Sequence, residues 1–231
     1  MSIRGVVFDL DGTLTHYSID LASLRSELIS KIREIGLPIN IVSFRDYPIS
    51  MVRKVMVYME NEGYPRSQIK SIASALFKVI EKYELIAANT TTLIPGAIDA
   101  LRYVHSLNLK CSLYTLCGRR PTMRILERFN LTRYFDAIVT RDDVEHFKPH
   151  PEHLLKAIVA LELKPSQVVV IGDSVIDVDC AKAVGSISIA VLSGVRTLNE
   201  LRSRGADYII SSVAELPKIL GKIVQCQVSA E

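Results

Sequence analysis

Val6-Val7-Phe8-Asp9-Leu10-Asp11-Gly12-Thr13 is the stretch on which the fold turns, because three apolar residues in a row run directly into two aspartates and a glycine. The apolar run reads as a buried strand, and acids at its carboxyl end point into the crevice where open α/β sheets bind ligands. Gly12 lets the backbone turn sharply with no Cβ in the way. If the extended chain stayed regular, Asp9 and Asp11 would leave it on one side and face a single divalent cation. Ordinary folding offers little reason for such a pair, since neighbouring carboxylates repel one another and resist desolvation. The bland alternative is an acidic turn after an edge strand.

Working outward, three later segments repeat the same construction. Cys111-Ser112-Leu113-Tyr114 reads as a second buried strand and ends in Thr115, a hydroxyl able to donate to a phosphate oxygen, before Leu116, Cys117 and Gly118 turn away. Lys148 precedes Pro149, His150, Pro151 and Glu152, which open a helix carrying Leu154, Leu155, Ile158 and Leu161; proline suits a helix start. Val168 to Ile171 is a third apolar run, ending in Gly172-Asp173-Ser174 with Asp177 four residues after Asp173. Singly these read as a strand-end threonine, a solvated lysine and a helix-capping aspartate. Their order and shared position at strand ends point to a site for phosphoryl chemistry.

Taken together, FDLDGTL at Phe8 to Leu14, Thr115, KPHPE at Lys148 to Glu152 and GDSVID at Gly172 to Asp177 resemble the motifs of the haloacid dehalogenase-like superfamily, in its phosphatase branch with a helical cap, similar to phosphoglycolate phosphatases. GADYII at Gly205 to Ile210 fits the last strand of that family, so the resemblance spans nearly the whole chain. It implies an α/β fold with a Rossmann-like parallel sheet core and an inserted α-helical cap domain, and a Mg²⁺-dependent hydrolase passing through an aspartyl-phosphate. Asp9 would be the nucleophile. Asp11 would protonate the leaving oxygen and later activate water, its pKa raised by nearby acids. An acid at that second position favours phosphate esters over the haloacids for which the superfamily is named.

The resemblance places the cation on Asp9, the backbone carbonyl of Asp11, and Asp173, a hard oxygen set of the kind Mg²⁺ takes. Asp177 would stand behind them, orienting Lys148 or a metal-bound water. Lys148 and Thr115 would bind and neutralise the transferring group, since phosphoryl transfer depends on placement and charge stabilisation. The family often has a small polar residue after the threonine, whereas this chain has Leu116, which bears on specificity. Arg119 and Arg120 stand where they could reach a second anionic group, and their bland reading is two solvated arginines at a helix entrance.

Apolar runs alternate with amphipathic segments, which predicts a parallel sheet with crossover helices. Strands are expected at Arg4 to Asp9, Leu109 to Thr115, Ala137 to Thr140, Val168 to Gly172, Ser188 to Leu192 and Tyr208 to Ser211. The interval between the first two is far too long for one crossover. It holds three helical patterns: Leu21, Leu24, Leu28 and Ile32 with Asp20 as cap; Met51, Val55, Tyr58 and Met59; and Ile69, Ile72, Leu76, Ile80 and Tyr83. A cap over residues 17–88 is therefore expected, inserted into a core of residues 1–16 and 89–231. Pro95 is expected to start the returning helix with Ile98, Leu101 and Leu107, and Ser212 with Glu215 to make a capping box for the last helix. The tail beyond Gln225 is expected to fray.

Substrate choice is expected in the cap, with His16 near the first hinge and Arg45, Arg53 and Lys54 as candidates beside the reading of plain exposed residues. Met51, Met56 and Met59 read as cap core. Pro149 and Pro151 break the helical spacing that His146, His150 and His153 would need, so these are not read as zinc ligands.

At 231 residues and a net charge of +3, with Lys and Arg scattered, the chain is not expected to bind nucleic acid and is compatible with a small anionic substrate, which the resemblance implies is phosphorylated. No apolar segment approaches the ~20 residues of a membrane span, and no signal peptide precedes the first strand. Cys111, Cys117, Cys180 and Cys226 form no CxxC pair, as free thiols in a reducing, cytoplasmic setting would not. The sequence selects no oligomeric state. Two rival functions share these features: a phosphomutase returning the phosphoryl group to a sugar, and a catalytically silent phosphate-binding or regulatory protein.

Overall fold

Gly5–Phe8 forms β1, whose four residues are all buried, the mark of a strand covered on both faces. In this computed structural model, which describes residues 2–194 and 196–228, with side chains to 225, β1 is the centre of a six-stranded sheet. The other strands are β2 (Lys110–Thr115), β3 (Ala137–Thr140), β4 (Val168–Gly172), β5 (Ile187–Val191) and β6 (Tyr208–Ile210). Their order is β3-β2-β1-β4-β5-β6, and every neighbouring pair is parallel. The order reverses direction between β1 and β4, the point at which such sheets open a crevice at their carboxyl ends. Phe8 is in register with Leu113 on one side and Ile171 on the other. The residues that follow, Asp9, Tyr114 and Gly172, are therefore delivered to one edge.

The chain divides into two units, Met1–Tyr17 with Thr91–Glu231, and Ser18–Thr90. The first holds the sheet and helices α4 (Ala97–Ser106), α5 (Arg119–Arg128), α6 (Pro151–Ala160), α7 (Val175–Val184), α8 (Leu198–Ser203) and α9 (Leu216–Val228). Val7, Tyr114, Leu154, Ile158, Val170 and Cys180 share one core cluster against the sheet. The second unit is wholly helical, with α1 (Leu21–Glu34), α2 (Pro48–Asn61) and α3 (Arg66–Thr90). Its own core joins Leu24, Leu28, Met51, Val55, Met59, Leu76 and Ile80, with Met56 packed against it. Asp20 caps α1 by accepting from the Ala22 and Ser23 N–H groups at 3.1 Å each.

Several element ends differ from the sequence reading. α3 continues past Ala88 to Thr90, after which Ile94 N–H donates to Leu14 and His16 N–H to Thr92, pairing the two crossings between the units' chain segments. α4 starts at Ala97, not Pro95, because Gly96 at φ +86° can hold the left-handed cap position, and Leu107 falls just beyond its end. Ser212 accepts from Ala214 N–H and caps a 3₁₀ turn, Val213–Glu215, that leads into α9; the expected box with Glu215 is replaced by that single bond. α9 runs to Val228, and the fate of the tail beyond it lies outside the described residues. No helix among the described residues is long and apolar enough to cross a membrane. Cys111, Cys117 and Cys180 are buried thiols outside any disulfide among the described residues, whereas Cys226 is outside the described side chains.

Candidate active site

Four charged side chains, from two strand ends, one loop and the first turn of a helix, meet beyond β1 and β4. Asp9 leaves the end of β1, its N–H still donating to Ile171 at 2.8 Å. Lys148 comes from the loop before α6, and its ammonium donates to Asp9 Oδ1 at 2.6 Å and to Asp177 Oδ1 at 2.8 Å, with the Tyr114 carbonyl at 3.4 Å. Asp173 follows β4, and Asp177 stands in the first turn of α7. All four are buried, at 8% exposure or less.

Asp177 is fully engaged. Its Oδ1 also accepts from the Tyr114 hydroxyl at 2.6 Å, and its Oδ2 accepts from Ser174 N–H at 3.1 Å in a capping box whose N-cap is Ser174, not Asp173. The geometry thus puts Asp177 to work holding Lys148. Tyr114 was read from sequence only as strand core; its ring lies 4.0 Å from the ammonium and edge-on to His153. A hydroxyl on an otherwise apolar strand was the available signal, since a buried tyrosine needs a polar partner. His153 is buried too. Its Nδ1 accepts from Lys148 N–H at 3.3 Å, which leaves the Nε2 proton for the Val139 carbonyl, also at 3.3 Å, and so fixes the lysine's backbone.

Glycines make room for the acids. A Cβ on Gly12, which has φ +86°, would strike the Asp173 carboxylate, and one on Gly172 would strike Asp177. Three carboxylates face one ammonium here. Burial first, then the neighbouring Asp177, raise the Asp9 pKa against the pull of Lys148, to about 6. Burial and the negative charges of Asp9 and Asp177 push Asp173 well above the carboxylate range. Burial alone would lower the Lys148 pKa, but the two carboxylates more than offset it and hold the ammonium charged.

This donor set fits a divalent cation. Carboxylate oxygens of Asp9, Asp173 and Asp177 lie within 4.8 Å of one another. Asp173 accepts no hydrogen bond from any other described side chain, and Asp9 Oδ2 accepts a long one from the Thr13 hydroxyl, at 3.4 Å. A buried carboxylate left so poorly satisfied is stabilised by a cation in oxygen coordination.

Asp11 departs from the sequence reading. Regular extension ends at Phe8, so the same-side argument lapses, and its half-buried carboxylate accepts from the Thr15 hydroxyl at 3.1 Å outside the carboxylate cluster. Burial and neighbouring acids raise the pKa values of Asp9 and Asp173. Thr115 ends β2 beside β1, buried, its hydroxyl accepting from Cys117 N–H at 3.1 Å. The half-buried Leu116 offers its carbonyl to Arg141 at 2.8 Å. Arg119 is not poised for a second anion: it is paired to Asp143 at 2.7 Å and donates to the Ile138 carbonyl, tying α5 to the end of β3. His16 is exposed, with its backbone held by Thr91 and Thr92. In the helical unit Lys54 is paired with Asp46 at 2.7 Å, Arg53 lines a shallow groove with Ile41 and Tyr58, and Arg45 is exposed.

A parallel sheet packed against helices, with acids and a lysine gathered at its switch point, has the architecture of an α/β enzyme, its charges lying where such sheets bind ligands. Residues 6–191 match the family model of the haloacid dehalogenase-like hydrolases, and the chain belongs to that family. It is 27% identical to a phosphoglycolate phosphatase of Nitrosospira multiformis, over 96% of this chain and 97% of the relative. It is 28% identical to the pyrophosphatase PpaX of Halalkalibacterium halodurans, over 96% and 98%. A solved hydrolase structure from Pseudomonas syringae shares the fold with a TM-score of 0.73 at 23% identity, covering 95% of this chain and 99% of that one. The family makes the chain a haloacid dehalogenase-like hydrolase, and both of these curated relatives are named for phosphatase activity.

Proposed function

We propose that the protein is a Mg²⁺-dependent phosphatase that hydrolyses a small organic phosphomonoester, of the phosphoglycolate or sugar-phosphate kind, through an aspartyl-phosphate on Asp9. The observation that carries this reading is the buried ammonium of Lys148 held 2.6 Å from Asp9 and 2.8 Å from Asp177. The ammonium favours the anionic form of Asp9 against the effect of burial, and it faces the charge that would build on the phosphoryl oxygens.

Asp9, Asp173 and the Asp11 carbonyl would hold Mg²⁺, which when bound offsets the charge of the carboxylates and the phosphate. In the first step an Asp9 oxygen forms a bond to phosphorus as the ester P–O bond breaks, and the departing oxygen takes its proton from Asp11. In the second, water gives a proton to Asp11 and bonds to phosphorus while the Asp9–phosphorus bond breaks. Thr115 donates to a phosphoryl oxygen; Asp177 and Tyr114 keep Lys148 aimed. The helical unit, inserted directly after this loop, is proposed as the cap that selects the substrate, with His16 and Leu116 as further specificity positions. The buried thiols of Cys111, Cys117 and Cys180, held in no disulfide among the described residues, support a cytoplasmic setting.

Phosphate release from a panel of small phosphomonoesters with Mg²⁺, run beside Asp9→Asn, tests the reading. Selective release, lost in the variant and reversibly lost on chelation, supports it. Full activity in Asp9→Asn removes the nucleophile, and activity that survives thorough chelation removes the metal. Turnover only with a sugar bisphosphate present would turn the assignment to a phosphomutase.

A further inference from the structure

A second group of metal-ligating side chains lies on the sheet-bearing unit, on the outer side of the loop that carries Lys148. While Lys148 and His153 turn inward, His146 and His150 turn outward and meet Glu152. One ligand atom from each of His146, His150 and Glu152 falls within 4.8 Å of the others. His146 Nδ1 is 2.7 Å and His150 Nδ1 4.0 Å from the same oxygen, Glu152 Oε2. The other carboxylate oxygen, Oε1, accepts from Glu145 N–H at 3.0 Å, which turns Oε2 toward the two rings. The ring centroids are 4.7 Å apart with planes tilted by 37°.

We propose that His146, His150 and Glu152 form a second metal site, a solvent-facing pair of imidazoles plus one carboxylate for a divalent ion of the Zn²⁺ class. Imidazole and carboxylate bind Zn²⁺ at about 2.0–2.1 Å, and a tetrahedral ion spaces two such ligands roughly 3.3 Å apart. The observed separations of 2.7 and 4.0 Å straddle that value, so small side-chain rotations close the set. Loading exchanges two contacts, the proton shared by His146 and Glu152 and the 3.3 Å bond from Glu152 N–H to His150 Nδ1. Three protein ligands leave the remaining coordination positions to water or a small ligand.

Ligand chemistry separates this site from the carboxylates around Asp9. Mg²⁺ seeks oxygen and keeps its waters, whereas imidazole favours Zn²⁺, Cu²⁺ and Ni²⁺. The helical spacing that sequence reading demanded is unnecessary here. A turn closed by His150 N–H on the Phe147 carbonyl brings His146 back to the first turn of α6, and His153 takes no part. Such an ion would join the two ends of the loop around Lys148.

The test uses the untagged full chain with Mg²⁺ in excess. Zn²⁺ binding is measured by competition with a coloured chelator, and Cu²⁺ binding by electron paramagnetic resonance. The expected result is one tight equivalent of Zn²⁺, weakened at least tenfold in His146→Ala/His150→Ala, and nitrogen couplings in the Cu²⁺ spectrum that disappear in the double variant. Circular dichroism and cooperative unfolding check that this variant is folded, as its exposed positions lead one to expect. Unchanged Zn²⁺ affinity in the folded double variant, or an oxygen-only Cu²⁺ spectrum in the wild type, would overturn the proposal.

Discussion

Lys148 stays charged in a buried position because two carboxylates answer it, and one of those is itself held by a tyrosine. Tyr114→Phe removes the 2.6 Å bond to Asp177 and nothing else of the ring. Hydrogen bonds to charged groups contribute about 1.5–3 kcal/mol, so urea unfolding should show a loss of that order. Turnover should fall about tenfold as Lys148 loses its brace, the equivalent of ~1.4 kcal/mol; unchanged turnover would mean that Asp177 needs no help from Tyr114. His153 offers a pH test. Burial first, then the Lys148 charge, lower its pKa from 6.5 to about 4. Its folded pKa lies below its unfolded one, so the unfolded chain binds the proton more readily between these values. The stability this neutral ring contributes is complete above pH 6.5 and drains away as pH falls toward 4. Ring-proton NMR should show His153 neutral down to about pH 5, and a titration at its ordinary pKa would contradict its burial. Asp9 and Asp173 were legible as candidates because a charge at the end of an apolar run is conspicuous, Asp177 by its spacing of four from Asp173, and Lys148 by its place before the prolines that open a helix. Tyr114 and His153 were not, since an aromatic ring inside an apolar pattern reads as packing.

At the scale of elements, strands were legible almost to the residue, because runs such as Val168 to Ile171 are continuous and buried on both faces. Helix starts were less so. The cap at Gly96 depends on backbone conformation that residue type only permits, and Ser174 and Asp173 compete for a cap on equal chemical terms. Two glycines separate backbone strain from site geometry. Gly36 has φ +85° with open space around its Cβ direction, so Gly36→Ala should cost about 1–2 kcal/mol and leave turnover intact. Gly12 has φ +86° and Asp173 against it, so Gly12→Ala should cost more and also lower turnover at least tenfold with weaker Mg²⁺ dependence. Denaturation curves and Mg²⁺ titrations of the pair would tell the two effects apart; equal behaviour would mean that Asp173 yields freely.

For the whole molecule, the helical unit's own hydrophobic cluster, beside those packed against the sheet, implies that each unit carries its own stability. Leu76 is fully buried in the helical unit's core. Leu76→Ala should cost roughly 2–5 kcal/mol there, depending on how far the site collapses. Hydrogen exchange should quicken in α1, α2 and α3 while β1, β2 and β4 keep their protection, and equal quickening in the sheet would show that the units unfold as one. The sequence by itself determined the α/β class, the six strands, the helical insert and the residue types of the site, because apolar periodicity and charges at strand ends are local properties of a chain. Only the tertiary structure decided the strand order that opens a crevice between β1 and β4. It also decided the pairing of Lys148 with Asp9 across 139 residues, the turning of Asp11 toward Thr15 and the capture of Arg119 by Asp143. A side chain's charge is written at its own position, but the partner that satisfies it is chosen by which distant segments pack side by side.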